Sequence, residues 1–465
     1  MKNNINYINN EFLNCNDLIH KTIKINLKTY HIFYLETVAS GDRVNNYILK
    51  SISNKTDILN INKNLPSPNF IKLDDTKKIN YYLYNGFTII LNKKNIYAVE
   101  TRAELDRSIS EPTSEPSLYG PKDAFNENIQ KNLGLIKRRI KSNNLKNEIK
   151  ILGRNTKTII NILYLDNIVD KNLLNDILNK LDNFDIDSLL DAGVLKKILE
   201  NNLNPFPTIK LTEKPDLACI NLLDGKIVIL VDGSPYALIM PAFLIDFINP
   251  INDDYFKPTN AIFLKMLRLI CFLLTIIVPA FYIAITTYNQ ETIPLPLLIN
   301  ISAQRSGVPF PAIVEAIIMI LTCEILKESD LRFPNHYGSA ISILGALILG
   351  EAAVSAGIVS PIMIIIVAVT FISALLFTDN DISGAIRFWR FIFLIFSVFF
   401  GLYGISLALL AFLINITSYK SMYLNYTFPI EPNDKNYAKH IILGLNTNKR
   451  SKYLTKNITK SNIPK

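Results

Sequence analysis

Carboxylates lie inside mostly apolar stretches in the C-terminal half of the chain, Glu315 and Glu324 within 308–326 and Glu351 within 338–357. A charged side chain within a bilayer is costly, so it usually faces a cavity, a protein partner or water and often marks an ion or proton path. The alternative is a carboxyl that is protonated or satisfied by a neighbouring helix. We take Glu351, Ser355 one turn further on, and Glu315 as candidate polar residues of a pore, with both interpretations open.

The segment around Glu351 also carries a stripe of small side chains at spacings of three and four. The stripe consists of Ser342, Ala346, Gly350, Ala353 and Gly357. Small residues on one helix face let two helices approach closely. Since Glu351 falls on the opposite side of the same helix, the pattern predicts close helix packing on one face and a polar residue on the other.

Other residues that could do chemistry are scattered. The patterns GxxxxGK[ST], GxSxG and HExxH do not occur in the sequence. The four cysteines form no CxxC pair, and the four histidines lie far apart in the sequence except for His20 and His31. The sequence therefore predicts no enzyme activity, no cofactor and no metal site.

The charge balance is basic. The chain of 465 residues has 49 Lys and Arg against 40 Asp and Glu, a net charge of +9. Such a surplus is found in nucleic-acid-binding proteins. Here many lysines lie in polar regions that flank apolar segments, as they do on the cytoplasmic side of membrane proteins. We therefore expect membrane lipid, and no nucleic acid, as a partner.

The sequence of the N-terminal part predicts a polar leader (1–25), followed by a small α/β subdomain (26–109). Short runs rich in β-branched and aromatic residues predict strands at 30–35, 87–91 and 96–99, with a helix at 42–52. The leader lacks a continuous apolar stretch, so we expect no cleaved signal peptide.

A second α/β subdomain is expected over 110–257. It begins with a Pro-rich loop (110–120) and a helix that starts at Pro121, which suits a first helical turn. Further patterns predict a strand at 158–164, helices at 173–181 and 189–199, and strands at 217–222 and 226–231. The last two would form a hairpin through Asp224-Gly225.

Three cations end the predicted helix that follows Pro121, namely Lys137, Arg138 and Arg139. Cations are favoured near a helix C-terminus, so an ordinary amphipathic helix packed on a sheet explains them. The alternative is a docking surface for another subunit, and we keep these residues as candidates for it.

The apolar part is expected to be an all-α transmembrane helix bundle (258–417). Spans are predicted at about 263–288, 338–357, 361–377 and 388–416, whereas 308–326 would be re-entrant, interfacial or a fifth span. Arg387, Trp389 and Arg390 would anchor the last span at the interface. Lys265 and Arg268 at the start of the first span place that end in the cytosol.

A basic tail (418–465) follows, and it should also be cytosolic. With both ends on one side, the number of crossings is even, and four crossings fit if 308–326 does not cross. The expected fold class is thus an α/β N-terminal region of two subdomains plus an all-α C-terminal bundle. The protein would be a multi-pass membrane protein with a cytosolic N-terminal region.

Several motifs in order resemble one family. They are Glu111-Pro-Thr-Ser-Glu-Pro-Ser-Leu-Tyr-Gly-Pro-Lys-Asp-Ala-Phe-Asn-Glu-Asn128, Asn132-Leu-Gly-Leu-Ile-Lys-Arg-Arg-Ile140, Thr212-Glu-Lys-Pro-Asp216, Arg305-Ser-Gly-Val-Pro-Phe-Pro311, Gly350-Glu-Ala-Ala-Val-Ser-Ala-Gly-Ile-Val-Ser-Pro361 and the stretch 387–404. From about residue 30 to 430 the chain resembles the A subunits of GerA-type spore germination receptors. The stage V sporulation AF-type proteins share much of this pattern.

The resemblance implies a subunit in the inner membrane of a bacterial spore. It implies assembly with a B subunit that resembles amino-acid transporters and holds the nutrient, and with a C subunit that is a lipoprotein. Nutrient binding would then trigger ion release. The A subunit would form a homo-oligomer with an ion-conducting channel.

Two other functions remain open from the residues alone. One is a membrane solute transporter, which would be expected to show internal repeats and broken helices around a midplane site. The other is a scaffold subunit of the sporulation or germination apparatus. Replacement of Glu351 would change ion release through a pore and leave a scaffold unaffected.

Overall fold

The computed structural model describes most of the chain. The described residues are 2–12, 15–25, 28–50, 70–73, 76, 78–92, 95–103, 112, 115, 119–200, 204–332, 350–431 and 433. An α/β N-terminal region with two sheets precedes a region of apolar helices, which confirms the predicted fold class.

The first subdomain is built on an antiparallel sheet with strand order β1-β2-β4-β5-β3. The strands are β1 (Leu18–Ile25), β2 (Lys28–Leu35), β3 (Phe70–Leu73), β4 (Phe87–Leu91) and β5 (Ile96–Glu100). The helices are α1 (Lys2–Glu11), α2 (Gly41–Arg43, continued by the π-helix Val44–Leu49) and α3 (Lys78–Tyr84).

The interpretation of residues 1–25 as a polar leader is wrong. The strand β1 pairs along its whole length with β2. In the preceding segment, Ile5, Ile8 and Phe12 recur at helical spacing, and Ile8 and Phe12 are buried in the core of the first sheet. Three apolar residues on one face thus suffice to fold an Asn-rich segment against the sheet.

The second subdomain repeats the first, with strand order β6-β7-β9-β10-β8. The strands are β6 (Leu145–Leu152), β7 (Thr158–Leu165), β8 (Lys210–Thr212), β9 (Ile227–Val231) and β10 (Ala237–Met240). The helices are α4 (Ile129–Arg139), α5 (Lys171–Asp182), α6 (Ala192–Glu200), α7 (Pro215–Leu223) and α8 (Leu244–Ile248).

The repeat is visible in the sequence where each second strand turns into a helix. Residues 34–40 read Tyr-Leu-Glu-Thr-Val-Ala-Ser, and residues 164–170 read Tyr-Leu-Asp-Asn-Ile-Val-Asp. The last residue caps the following helix in both copies, because the Ser40 and Asp170 side chains accept hydrogen bonds from backbone N–H groups of the first turn. Similar residues thus make the same turn twice.

Two predicted elements of the second subdomain are wrong. Residues 217–222 belong to the helix α7, because Pro215 suits its first turn and Ala218, Cys219 and Leu222 face the core on the side of α4. The hairpin partner of β9 is therefore β10. The helix predicted from Pro121 begins only at Ile129, where the Asn128 side chain accepts from the N–H groups of the first turn.

Apolar helices make up the C-terminal region. They are α9 (Pro258–Thr287), α10 (Leu295–Arg305), α11 (Ala312–Arg332), the helical residues 350–355, α12 (Pro361–Ala374) and α13 (Asn380–Ser418). Within the described residues, two of them are long and apolar enough to cross a membrane, α9 and α13. The helix α10 was not predicted from the sequence.

The prediction of one helix over 388–416 is wrong, because α13 is a hairpin of two arms. The chain reverses at Gly401, whose φ of 58° and ψ of −136° are not helical. The arms then run side by side, so that a Cβ on Gly404 would come within 2.0 Å of the Phe396 carbonyl oxygen. The reversal is possible because glycines occupy the bend (Gly401) and the second arm (Gly404), where a Cβ has no room.

Both ends of this hairpin lie next to the α/β region, which defines the near end of the bundle. There Lys196 forms an ion pair with Asp381, and the ring of Phe206 lies 6.2 Å from that of Phe412. The bend at Gly401 instead lies against Tyr288, just beyond the C-terminus of α9, and defines the far end.

The segment that follows α13 folds back onto the second subdomain. It forms a short hairpin of β11 (Lys420–Ser421) and β12 (Leu424–Asn425). The Tyr423 hydroxyl donates to Asp170, and the Tyr426 carbonyl accepts from the Leu244 N–H at 3.2 Å. The expected basic tail of 418–465 therefore begins with a packed aromatic segment, and residues 434–465 lie outside the described part.

Candidate functional site

Glu351 lies on the outward side of the last described turns of its helix. Glu351 and Ser355 are exposed, whereas Gly350, Ala353 and Gly357 are half-buried on the other side. Ala353 packs against the main core of the bundle. Ala353 and Gly357 thus face the chain's own helices, whereas a Cβ on Gly350 would meet nothing within 4 Å. The Glu351 carboxylate faces away from them. Ser342 and Ala346, the other members of the small-residue stripe, lie outside the described residues.

Gly357 has a local role in ending this helix. Its N–H donates to the Val354 carbonyl and the Ile358 N–H donates to the Ala353 carbonyl, both at 2.9 Å. This is the Schellman arrangement, in which the first residue after the helix has a positive φ. The φ of Gly357 is 66°, and a Cβ there would meet the Gly307 carbonyl oxygen at 3.3 Å. Glycine is required for the turn as well as for packing.

Ser355 is tied to the helix that carries Glu351. Its Oγ donates to the Glu351 carbonyl oxygen at 2.8 Å. A hydroxyl that donates in this way keeps its lone pairs for another donor or a cation. Ser355 and Glu351 therefore present oxygen atoms on the same exposed face, one turn apart.

Glu315 is fully buried and holds two segments together at the far end. Its Oε2 accepts from the Ser360 N–H at 3.0 Å and from the Ser360 hydroxyl at 2.8 Å. Its Oε1 lies 3.5 Å from Arg305 Nε. Ser360 is the N-cap of α12, where a negative charge is favoured. Oε2 is thus satisfied inside the chain, whereas Oε1 has a nearby cation but no hydrogen bond among the described residues. This geometry favours a carboxylate held by its neighbours over one that lines a pore.

A second, half-buried carboxylate lies toward the near end. Glu324 of α11 lies 2.9 Å from Arg387 and 3.3 Å from Arg390, both on the first arm of α13. The interpretation of Arg387, Trp389 and Arg390 as interface anchors needs correction. Arg390 and Trp389 are buried, and Trp389 packs on Phe412 within the hairpin. They face inward because the second arm covers them.

The three candidate docking cations have different surroundings. Lys137 is fully buried and forms an ion pair with Asp17 of the first subdomain. Arg139 pairs with Asp123, and this partner keeps the pKa of the guanidinium raised despite its burial. Arg138 alone is exposed. Two of the three charges therefore act within the chain, and Lys137 joins the two subdomains.

A cavity of about 420 Å³ lies at the junction of the second subdomain and the near end of the bundle. Lys210, Lys214 and Arg268 line it, together with Glu115 and Asp379. Burial raises the pKa of the Glu115 carboxyl, although Lys210 and a hydrogen bond from Thr212 oppose this. Cations and carboxylates thus balance one another here. In the part of the chain that the structure describes, no group of three His, Cys, Asp or Glu side chains could hold a metal ion.

Comparison with known proteins identifies the family. The model of the family described as Bacillus/Clostridium GerA spore germination protein matches residues 6–453. The chain belongs to the GerA family. This confirms the resemblance drawn from the motifs.

The GerA-family relatives include spore germination proteins of two Bacillus species. Spore germination protein KA of Bacillus subtilis (strain 168) is 40% identical over 333 residues, which cover 71% of this chain and 61% of that protein. Spore germination protein GerLA of Bacillus cereus is 37% identical over 350 residues, which cover 75% of this chain and 71% of that protein. The match to KA thus spans about three-fifths of the relative's length.

One solved structure is also similar. It is the crystal structure of the N-terminal domain of the A subunit of the Bacillus megaterium spore germinant receptor GerK3. It is 27% identical, with a TM-score of 0.41, and the match covers 53% of this chain and 96% of that domain.

Two residues that contact Glu315 are not indicated as site residues by the sequence. Arg305 and Ser360 both contact Glu315. Ser360 could have been found, because a Ser-Pro pair before an apolar run predicts a capped helix start. No local sequence pattern indicates the role of Arg305, since its partner Glu315 lies in a different helix.

Proposed function

We propose that this GerA-family chain is the A subunit of a nutrient-responsive germination receptor in the spore inner membrane. Copies of the chain assemble so that their outward faces at Glu351 line an ion-conducting path. Membership of the GerA family supports the germination role. The relatives KA and GerLA, both named spore germination proteins, support the same role.

The observation that carries the ion path is the orientation of Glu351. In the apolar region its carboxylate points away from its own bundle, while the opposite side of the helix packs inward. Exposure of a carboxylate to lipid would cost several kcal/mol, on the order of 3. A second copy and a water-filled path would remove that cost.

The helix directions support a multi-pass arrangement. The helix α9 starts at the near end, where Arg268 pairs with Asp253, and ends at the far end. The helix α11 runs back, from Glu315 to Lys327, which donates to Ser383. The helix α12 runs from the far end to the near end. The first arm of α13 then runs to the far end, and the second arm returns to the near end.

In the proposed topology the chain crosses the membrane an even number of times, with the α/β region and the segment after α13 both cytosolic. The opposite directions of α9 and α11 favour a crossing by α11 over a re-entrant or interfacial position.

The germination role is tested in spores whose other GerA-family receptors have been deleted. Spores with the complete receptor, including the transporter-like B subunit and the C lipoprotein, should release potassium into a potassium-free mixture of amino acids and sugars. Spores that lack only this chain should not. Equal release from both would contradict the receptor role.

Assembly is tested by cysteine cross-linking in isolated membranes. Ala352 is exposed next to Glu351, whereas Ala353 packs inward. Ala352→Cys should give cross-linked pairs of this chain with a bifunctional maleimide, and Ala353→Cys should not. An abundant Ala352→Cys protein that stays uncrosslinked would contradict assembly through this face.

A further inference from the structure

The charges between α11 and the first arm of α13 are unbalanced. Glu324 lies within ion-pair distance of both Arg387 and Arg390. One turn further along α11, Lys327 donates to the Ser383 hydroxyl at 2.7 Å. Among the described residues, two cations thus contact one carboxylate, and a third cation contacts a neighbouring hydroxyl.

The hydrogen-bond donors of Arg387, Arg390 and Lys327 outnumber the oxygens of Glu324, and Glu324 Oε2 also has no hydrogen-bond partner among the described residues. Each guanidinium has five N–H groups and an ammonium has three, whereas one carboxylate has two oxygens. Arg390 is 4% exposed, and its Nε has no hydrogen-bond partner among the described residues. A buried donor without a partner is costly, so an additional acceptor would stabilise the cluster.

The cluster is open on one side. Arg387 is 45% exposed, and Phe388 beside it is 50% exposed, so both face away from the bundle. Arg387 thus joins the half-buried Glu324 and the buried Arg390 to the outer surface. A ligand that reaches it must come from the medium that surrounds the helices.

The depth of the cluster matches the headgroup level of a bilayer. Asp381, in the first turn of α13, pairs with Lys196 of the α/β region. At 1.5 Å per residue, Arg387 lies about 9 Å beyond Asp381 and Arg390 about 14 Å beyond it. With the membrane location proposed above, this position would lie just inside the leaflet next to the α/β region, where lipid phosphates lie and where basic pockets between helices bind anionic headgroups.

We propose that Arg387, Arg390 and Lys327 bind the phosphate of an anionic phospholipid from the leaflet next to the α/β region. Phosphate oxygens match the planar fork of a guanidinium and would satisfy the surplus donors. The acyl chains would lie along the exposed surface at Phe388. This inference rests on the membrane location proposed above but not on ion conduction.

The test uses the full chain purified in a neutral detergent. Phosphatidylglycerol should raise the thermal unfolding midpoint and remain bound in native mass spectrometry, whereas phosphatidylcholine and inorganic phosphate should do neither. Arg387→Gln should weaken phosphatidylglycerol binding about tenfold. Arg387→Lys should weaken it less, because it keeps the charge and loses the fork.

Lys420→Gln is the matched control, since Lys420 is an exposed cation just after the last helix at the same end of the bundle. It should bind the lipid as the unaltered chain does. Equal binding by Arg387→Gln and the unaltered chain would overturn the site. Equal stabilisation by inorganic phosphate would overturn the lipid as its ligand. A chain that is absent from membranes would overturn the proposed function as well.

Discussion

The indole ring of Trp389 lies 5.1 Å from the ring of Phe412, at an interplanar angle of 82°. A continuous helix would hold these two residues about 35 Å apart. They meet because the chain reverses at Gly401, where a Cβ would come within 2.8 Å of Tyr288 Cβ. The bend therefore brings both ends of α13 to the α/β region.

Gly401→Ala should destabilise the protein by about 1–3 kcal/mol, because alanine is strained at this positive φ and its Cβ has no room. The measurement is the thermal unfolding midpoint of the purified chain in detergent. Gly384→Ala is the control, since a Cβ at Gly384 meets nothing within 4 Å. A Gly401→Ala chain as stable as the control would contradict a glycine-dependent bend.

Glu315→Ala should destabilise the far end by about 3–5 kcal/mol. The replacement removes the acceptor of the Ser360 N–H and leaves Arg305 without its carboxylate. Chemical unfolding in detergent measures the change. Glu291→Ala removes an exposed carboxylate at the same end and should cost little. A small effect of Glu315→Ala would show that the cap is dispensable.

Lys137→Met should destabilise the contact between the two subdomains by about 3–5 kcal/mol, because Asp17 is left buried without its cation. Adding Asp17→Leu should recover much of that loss, since an apolar pair replaces a buried ion pair. Limited proteolysis between the subdomains and thermal unfolding report the change. Arg138→Met, at an exposed position, is the control. If both single variants behaved alike, the buried pair would not join the subdomains.

A pH effect is expected from two histidines on the first hairpin. His20 Nε2 and His31 Nδ1 lie 2.9 Å apart. Burial lowers the pKa of both imidazoles, and the neighbouring His31 lowers that of His20 further. The unfolded chain then takes up protons first as the pH falls. The contribution of the two neutral histidines to folding stability is present above about pH 6.5 and is lost as the pH falls below it.

The fall of the unfolding midpoint between about pH 7.5 and about pH 5.5 should be smaller for His31→Gln than for the unaltered chain. Lys21→Gln changes an exposed residue on β1 and should leave the fall unchanged. If His31→Gln had the same fall as the unaltered chain, the pair would not be the source of the effect.

The strands with strong local patterns were predictable. The runs at β2, β4 and β5 are rich in β-branched and aromatic residues, and the structure has strands there. The sequence wrongly predicts a strand at Leu217–Leu222, because a short apolar run is compatible with both a buried strand and a buried helix. The segment forms the helix α7, because packing against its neighbours in the core decides its conformation.

The candidate site was predictable only in part. The spacing of small residues placed Glu351 opposite them, and the described turns have that arrangement. The partners of Glu315 were not predictable, because Ser360 and Arg305 approach it only after three helices pack. The bend at Gly401 was hidden within an unbroken apolar run, since a glycine in such a run is compatible with a helix.

The most direct measurement is potassium release from nutrient-treated spores that carry charge variants at Glu351. With equal protein levels, Glu351→Gln should change the rate of release and Glu351→Lys should nearly abolish it, because a cation in the path repels potassium. Glu291→Gln, an exposed carboxylate at the far end, should release potassium as the unaltered chain does. Unchanged release from both Glu351 variants would contradict a path along this face and would make the chain a scaffold.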